Sequence, residues 1–201
     1  GEAAAPSTPP SSPAPPSPPP QSNTYQLEIY AVRGANPDGV HLGEVYLYRA
    51  GDGALLDVSA SQLECDSACE GDYPVGNVAD QKQATTWLDT TRFNCGDAQC
   101  DDVATLVLRL ETVEQVGSYR LYTAAPYDDG AVHVQRDPVS WAFGIRTPGG
   151  DFEKLSEVID YDTPLARGNY GDDFYAIAPP SPPIAPSPPA PPPSPLPPAP
   201  P

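Results

Sequence analysis

The chain of 201 residues carries 27 acidic and 10 basic side chains, which gives a formal charge of −17. This charge argues against nucleic acid and anionic membrane surfaces as partners, because their phosphate groups would repel the protein. No apolar run reaches the length of about 18 residues that a membrane-spanning helix needs, so no membrane insertion is predicted.

Proline divides the chain into three parts. Residues 1–22 and 179–201 hold 24 of the 30 prolines and a single ionisable side chain, Glu2. Residues 23–178 hold the four cysteines, both tryptophans and nearly all of the acidic residues, and they are long enough for one domain with a hydrophobic core. The sequence therefore predicts one globular domain between two proline-rich arms.

The cysteines form two closely spaced pairs, Cys65 with Cys69 and Cys95 with Cys100. Even numbers of cysteine at such spacings are typical of disulfides in an oxidising compartment. A zinc site is the alternative, but both spacings are longer than a zinc knuckle prefers and no histidine lies near. We predict the two local disulfides, although three connectivities are open. The absence of methionine, also at position 1, favours a secreted chain that has lost a signal peptide.

Period-2 alternation of apolar residues predicts strands along the domain. In chain order these are TYQLEIYAV (24–32), GEVYLYRA (43–50), ATLVLRLE (104–111), SYRLYTA (118–124) and SWAFGIRT (140–147). Turns rich in glycine, proline and aspartate separate the strands, and no window has a sustained helical period. The pattern predicts an all-β sandwich without helices.

Five segments occur in an order that resembles the discoidin-like, galactose-binding-like domains. They are VRGANPDGVHLGEVYLYRAGDGALL (32–56), ATTWLD (84–89), VGSYRLYTA (116–124), RDPVSWAFGI (136–145) and GGDFEKLSEV (149–158). The resemblance implies an antiparallel jelly-roll β-sandwich. Two departures are expected: the long alternating last strand of that family is missing after Val158, which would leave an exposed sheet edge, and the insert at 59–78 decorates one end of the sandwich.

The RDPVSW segment (136–141) is predicted to form a corner of the sandwich. Pro138 fixes its own φ and holds Asp137 extended, so the chain turns there. Trp141 would then face inward as a large core residue, and Arg136 would cover an aromatic ring or pair with Asp137 or Asp89. The alternative is that Arg136 and Trp141 contact a sugar.

Catalysis has little support. The two histidines, His41 and His133, are accompanied by no nucleophile elbow, phosphate loop or paired-carboxylate motif. We therefore predict that the protein is not an enzyme.

The resemblance also implies two kinds of ligand. Galactose-binding-like domains often hold a structural calcium ion, for which Asp38, Asp52, Asp80 and Asp89 are candidates because carboxylate oxygens suit Ca²⁺; the alternative is that they are solvated turn residues. Sugar binding would need exposed aromatic residues on loops. The candidates are Tyr73, Tyr127 and Tyr170, each beside aspartate, glycine or proline.

The arms are predicted to adopt polyproline II, in which the 21 residues from Ser181 would span about 65 Å. They resemble the hydroxyproline-rich extensin and pherophorin glycoproteins of plant and algal surfaces, which implies prolyl hydroxylation and O-linked glycans; no N-glycosylation sequon is present. The candidate prolines are Pro9, Pro10, Pro15, Pro16, Pro18, Pro19, Pro20, Pro182, Pro183, Pro188, Pro189, Pro191, Pro192, Pro193, Pro197 and Pro198.

Polyproline II has no internal hydrogen bonds, so ordered arms need contacts with neighbours. Together, these features predict a secreted structural glycoprotein of a cell wall or cell surface. Its copies would assemble into a helical filament by docking their arms on neighbouring domains. The alternative is a carbohydrate-binding, lectin-like module with proline-rich spacers, for which cell-wall polysaccharide is the partner. The accessory domain of a wall-remodelling hydrolase is a third interpretation.

Overall fold

In a computed structural model of the protein, residues 20–34, 39–58, 63–65, 72–93, 103–126, 133–168 and 172–176 are described. Regular structure in these ranges is β-strand, apart from two short 3-10 helices, Val75–Ala79 and Val134–Arg136. The predicted all-β class is thereby confirmed for the described chain. No helix among these residues is long and apolar enough to cross a bilayer.

Eleven strands occur in the described ranges. In chain order they are β1 Ser22–Val32, β2 Val40–Leu42, β3 Val45–Arg49, β4 Leu55–Leu56, β5 Leu63–Cys65, β6 Trp87–Asp89, β7 Ala104–Glu114, β8 Val116–Leu121, β9 Pro138–Arg146, β10 Phe152–Val158 and β11 Phe174–Tyr175. The five strands predicted from alternation correspond to β1, β3, β7, β8 and β9, with ends that differ by at most three residues.

The strands form three antiparallel sheets. The first has five strands in the order β10-β9-β1-β7-β5, and the second has four in the order β11-β8-β3-β4. Strands β2 and β6 form a separate two-stranded ribbon. Every pairing in the two larger sheets is antiparallel, an arrangement in which a sheet can bury one face and leave the other toward solvent.

Alternating side chains decide which face of the five-stranded sheet is buried. Tyr25, Leu27 and Ile29 of β1 are wholly inaccessible to solvent, as are Leu106 and Leu108 of the neighbouring β7. These residues share one face because side chains of a strand alternate. The apolar alternation that predicted both strands is therefore the alternation that builds the core.

The two larger sheets pack face to face through aromatic rings. Tyr119 of β8 stacks on Phe143 of β9 with 4.4 Å between ring centroids, and Phe143 stacks in turn on Tyr25 at 5.6 Å. The indole Nε1 of Trp141 donates a hydrogen bond of 3.0 Å to the Tyr119 hydroxyl across the same interface. Stacked rings and a satisfied indole N–H fix how the sheets sit on each other.

Two features differ from the expectation. Part of the insert at 59–78, which was expected only to decorate one end, forms β5 and pairs with β7 in the main sheet. After β10, the chain returns to the second sheet only through the two residues of β11. Strand β10 is an outer edge, and its bulge between Lys154 and Ser156 and its exposed Glu153, Lys154 and Glu157 are features that block edge pairing.

Candidate functional site

The outer face of the four-stranded sheet carries tyrosines where a solvated sheet usually carries polar residues. In β3 the sequence Val-Tyr-Leu-Tyr places Val45 and Leu47 in the core, so Tyr46 and Tyr48 point outward and are half-buried. Across the ladder, Tyr46 is opposite Arg120 of β8 and Tyr48 is opposite Ser118. We call the surface formed by Tyr46, Tyr48, Arg120, Tyr122 and Tyr175 the tyrosine face.

Neighbouring strands extend the tyrosine face in both directions. Tyr175 of β11 is 53% exposed and pairs with Ser118, while Leu55 of β4 is 46% exposed and pairs with Tyr48. One row across four strands therefore reads Leu55, Tyr48, Ser118, Tyr175. It has apolar groups at three of its four positions and no charge.

Ring contacts hold the tyrosines in defined positions. Tyr46 meets Tyr122 edge to face, with 5.0 Å between centroids and 75° between planes. The Arg120 guanidinium lies 5.5 Å from the centre of the Tyr48 ring, which is a cation–π contact, and it is paired with the Asp173 carboxylate. Burial raises the pKa of both Tyr46 and Tyr48 above the ordinary value, so the phenols stay neutral.

A buried carboxyl group lies at the end of this face, beneath the Asp80 loop. Glu44 precedes β3, is inaccessible to solvent, and neither of its oxygens receives a hydrogen bond of normal geometry. Burial and then the neighbouring Asp80 carboxylate raise the pKa of Glu44 to about 7, against the backbone N–H groups of Lys82 and Gln81. Glu44 can therefore gain or lose a proton near neutral pH.

The side chains of the RDPVSW corner are engaged in contacts within the domain. Trp141 is fully buried and packs edge to face on Tyr161 and Phe174, so its ring offers no surface to a ligand. Arg136 ends a 3-10 helix and is 7% exposed. The packing role that the sequence allowed for Trp141 is the one observed.

Asp137 is the centre of a buried ionic network at this corner. Its two carboxylate oxygens accept bidentate hydrogen bonds of 2.8 and 2.7 Å from Arg167, and Arg33 approaches to 4.0 Å. Arg167 also donates to the Ala124 carbonyl, and the Thr163 hydroxyl donates to the Pro138 carbonyl. These bonds attach the segment between β10 and β11 to the corner, which is a structural task.

Tyr73 and Arg136 both lie near His41. The Tyr73 ring, 36% exposed, meets His41 edge to face at 6.5 Å. His41 is buried in β2 with its Nε2 3.0 Å from the Thr86 hydroxyl, and burial together with Arg136 and Arg167 lowers its pKa to about 3. At physiological pH the buried imidazole of His41 is therefore neutral. Tyr127 and Tyr170 lie outside the described residues.

The aspartates predicted for calcium stand in separate places. Asp52 is an exposed turn residue that accepts a bond from the Ala54 N–H, and Asp80 accepts bonds from the Lys82 N–H and the Thr85 hydroxyl. Asp89 is buried and accepts from the N–H and the hydroxyl of Thr91. Asp38 lies outside the described residues, and within the described ranges no three histidine, cysteine or acidic side chains converge on a metal position.

The remaining predicted sites fall mostly outside the described ranges. Cys65 ends β5 and is disulfide-bonded, but Cys69, Cys95 and Cys100 are not among the described residues, so the pairing stays a prediction. Pro20 is exposed just before β1, and the other proline candidates lie in the arms beyond the described chain.

Comparison with protein-family models, with curated proteins and with solved structures finds no match to this chain. The function must therefore be argued from the surfaces themselves. Sequence reasoning passed over the tyrosine face because it sought aromatic residues on loops. The segment GEVYLYRA alternates tyrosines with apolar residues, but this alternation alone does not say which of the two sets faces the core.

Proposed function

We propose that the protein is a structural subunit of an extracellular filament or cell-surface matrix, with a galactose-binding-like jelly roll and O-glycosylated polyproline arms. Its copies assemble when the C-terminal arm, residues 179–201, docks on the tyrosine face of a neighbouring domain. The observation that carries the proposal is that three tyrosines, Tyr46, Tyr48 and Tyr122, stand together on one exposed sheet face.

The chemistry of the arm and the face is complementary. Proline-rich segments in polyproline II dock on surfaces lined by aromatic rings, where the preformed helix loses little conformational entropy. Along the strands, the positions from Tyr122 to Tyr48 cover about 14 Å at about 3.4 Å per residue. That length is about one and a half turns of polyproline II, which has a pitch of about 9.3 Å.

The charge distribution favours docking of an arm, and not of a second domain, on the tyrosine face of a neighbouring copy. The domain carries nearly all of the −17, so two domains repel each other when they approach directly. Residues 179–201 contain no ionisable side chain and meet no such repulsion. A neutral arm is therefore the part of this chain best suited to contact another copy.

The direction of β11 favours docking of the arm on the tyrosine face of a neighbouring copy over docking on the face of its own domain. Tyr175 pairs with Ser118, and the Ala176 N–H then donates to the Gly117 carbonyl. Strand β11 thus runs from the Tyr122 end of β8 toward its Gly117 end. A stiff arm that continued in this direction would extend away from its own tyrosine face. Repeated docking on the next copy does not close, so it builds an open filament.

The test compares assembly of three full-length proteins and one truncation by sedimentation velocity and negative-stain microscopy. Wild type is expected to form filaments, whereas a chain ending at residue 176 and a Tyr46→Ser/Tyr48→Ser/Tyr122→Ser variant stay monomeric. Tyr73→Ser, which removes an exposed tyrosine elsewhere, should assemble as wild type does. Circular dichroism checks that each variant is folded.

A peptide of residues 181–201, titrated into the truncated chain, separates docking from folding. We expect saturable binding that weakens at least tenfold when Tyr48 alone is replaced by serine. Filaments from the truncated chain would refute arm docking. Normal filaments from the triple variant would refute the tyrosine face as the docking surface.

A further inference from the structure

A second surface of the molecule collects positive charge. On the outer face of the five-stranded sheet, Thr24 of β1 is opposite Arg109 of β7. The next residue, Tyr25, is opposite Ile145, so Arg146 at the end of β9 adjoins Thr24 on the other side. Three adjacent strands thus present an Arg–Thr–Arg row, with neighbouring strands about 4.8 Å apart.

This row lines an open cavity of about 490 Å³. The rest of its wall consists of the polar residues Ser22 and Asn23 and of the β9–β10 turn at 147–150, in which Pro148 is apolar. Hydroxyl, amide and backbone groups therefore surround the two guanidinium groups. The volume falls within the range of about 300–1,000 Å³ that is usual for small-molecule sites.

The two arginines differ in their partners. Arg109 is tied to Glu64 of β5 by bonds of 2.7 and 3.2 Å. Arg146 has no hydrogen bond or ion pair from its guanidinium to any residue in the part of the chain that the structure describes. In a protein of charge −17, an uncompensated guanidinium at a cavity is available to an anionic ligand.

An aromatic ring stands beside Arg146 on the same face. Phe152 of β10 pairs with Arg146, and its ring covers Gly144, where an added Cβ would lie 2.7 Å from the ring and 2.1 Å from the Glu153 carbonyl oxygen. Only glycine leaves room for this ring position. The half-buried ring lies beside the Arg146 strand but does not line the cavity, so the sugar contacts are assigned to the lining residues alone.

We propose that this cavity binds a uronic-acid residue of an acidic polysaccharide, with the sugar carboxylate on Arg146. A planar guanidinium matches a carboxylate through two parallel hydrogen bonds, which a lysine cannot provide. Asn23 and the 147–150 turn, which line the cavity, take the ring hydroxyls. Because the whole protein repels polyanions, binding depends on this local fit and not on net charge.

The site is independent of arm docking, since it lies on the other sheet. It would attach the proposed filament to an acidic wall polymer, so the two functions fail separately. If the protein forms filaments but binds no uronate, only the uronate proposal is refuted and the filament proposal stands.

The test titrates the full-length protein with oligogalacturonate by calorimetry at 0.15 M salt, where the Debye length is about 8 Å. We expect binding that weakens at least tenfold in Arg146→Gln and less in Arg146→Lys, which keeps the charge but loses the fork. Arg49→Gln, which removes an arginine of β3 that pairs with Glu114 outside both the cavity and the tyrosine face, is the control and should bind as wild type does. Filament formation should be unchanged in Arg146→Gln.

Two further ligands identify what is recognised. The methyl ester of the same oligosaccharide should bind at least tenfold more weakly, because its carboxylates are neutral. The 181–201 peptide, which ends in a free carboxylate, should not compete for the site. Equal binding of the ester, competition by the peptide, or unchanged affinity in Arg146→Gln would each overturn the proposal.

Discussion

The RDPVSW corner and the tyrosine face both contain ion pairs and aromatic rings, but these groups are buried at the corner and partly exposed on the tyrosine face. At the corner, Asp137 is inaccessible to solvent and its carboxylate is saturated by Arg167. On the tyrosine face, the same kind of pair, Arg120 with Asp173, is more than a third exposed and lies against a half-buried aromatic ring. Groups that are already satisfied inside hold the fold together, whereas rings left at the surface are available to a partner.

The largest expected effect is at the corner. Asp137→Ala leaves Arg167 and Arg33 without their buried counter-charge, and breaking such a pair costs about 3–5 kcal/mol. We expect the free energy of unfolding in urea to fall by that amount. Asp173→Ala breaks the matched bidentate pair on the exposed face and should cost at most about 1 kcal/mol. Equal losses in the two variants would remove the distinction between the regions.

The second effect concerns Glu44, the buried acid at the end of the tyrosine face. Its pKa is about 7 in the folded protein against an ordinary 4.5, so the folded state holds the proton more tightly. Unfolding therefore releases a proton between these values, and this contribution to stability is lost as pH rises from about 4.5 to 7. Glu44→Gln should remove that loss and be more stable than wild type at pH 8 by about 3 kcal/mol.

The measurement is the difference between the two proteins across pH 5 to 8. His41, with its lowered pKa, changes stability in the opposite direction, so only the difference isolates Glu44. Glu153→Gln on the exposed edge strand β10 is the control and should follow wild type at every pH. A difference between Glu44→Gln and wild type that is constant with pH would contradict a proton-linked role.

The comparison also explains what could be predicted from the sequence. Alternation identified β1 and β7 because only one of their two faces is apolar. In β3 both alternate sets are large and apolar or aromatic, so periodicity could not decide whether Val45 and Leu47 or Tyr46 and Tyr48 face the core. Which side of a strand faces the core depends on the strands that it pairs with, and a single sequence does not specify those partners.

Long-range pairing accounts for the other omissions. The Arg–Thr–Arg row needs the register of three strands that are distant in sequence. Asp137 pairs with Arg167, which lies 30 residues away in the sequence. The sequence alone instead suggests the neighbouring Arg136, with Asp137 or Asp89 as the carboxylate that would pair with it. Strand β5 has three residues in a cysteine-rich insert and becomes a strand only by pairing with β7. Such short strands carry too little local signal to be predicted.

The smallest expected effect on the free energy of unfolding comes from comparing tyrosines on the two faces of the four-stranded sheet. Tyr119 and Tyr46 lie on adjacent strands, but Tyr119 points into the core, where its hydroxyl accepts the Trp141 indole N–H and contacts Ser156 at 3.3 Å. Tyr119→Phe leaves that buried donor without an acceptor, which should lower the free energy of unfolding by about 1–2 kcal/mol. The Tyr46 hydroxyl lies on the outer face, so Tyr46→Phe should change stability by less than about 0.5 kcal/mol.

Denaturant midpoints of the two variants, with the near-ultraviolet dichroism of Trp141, provide the comparison. Loss of the Trp141 signal only in Tyr119→Phe would show that the hydrogen bond fixes the indole. If Tyr46→Phe were as destabilising as Tyr119→Phe, the outer ring would already be committed to the fold. In that case the tyrosine face would have a structural role, and an arm would have to displace bonds that the domain needs.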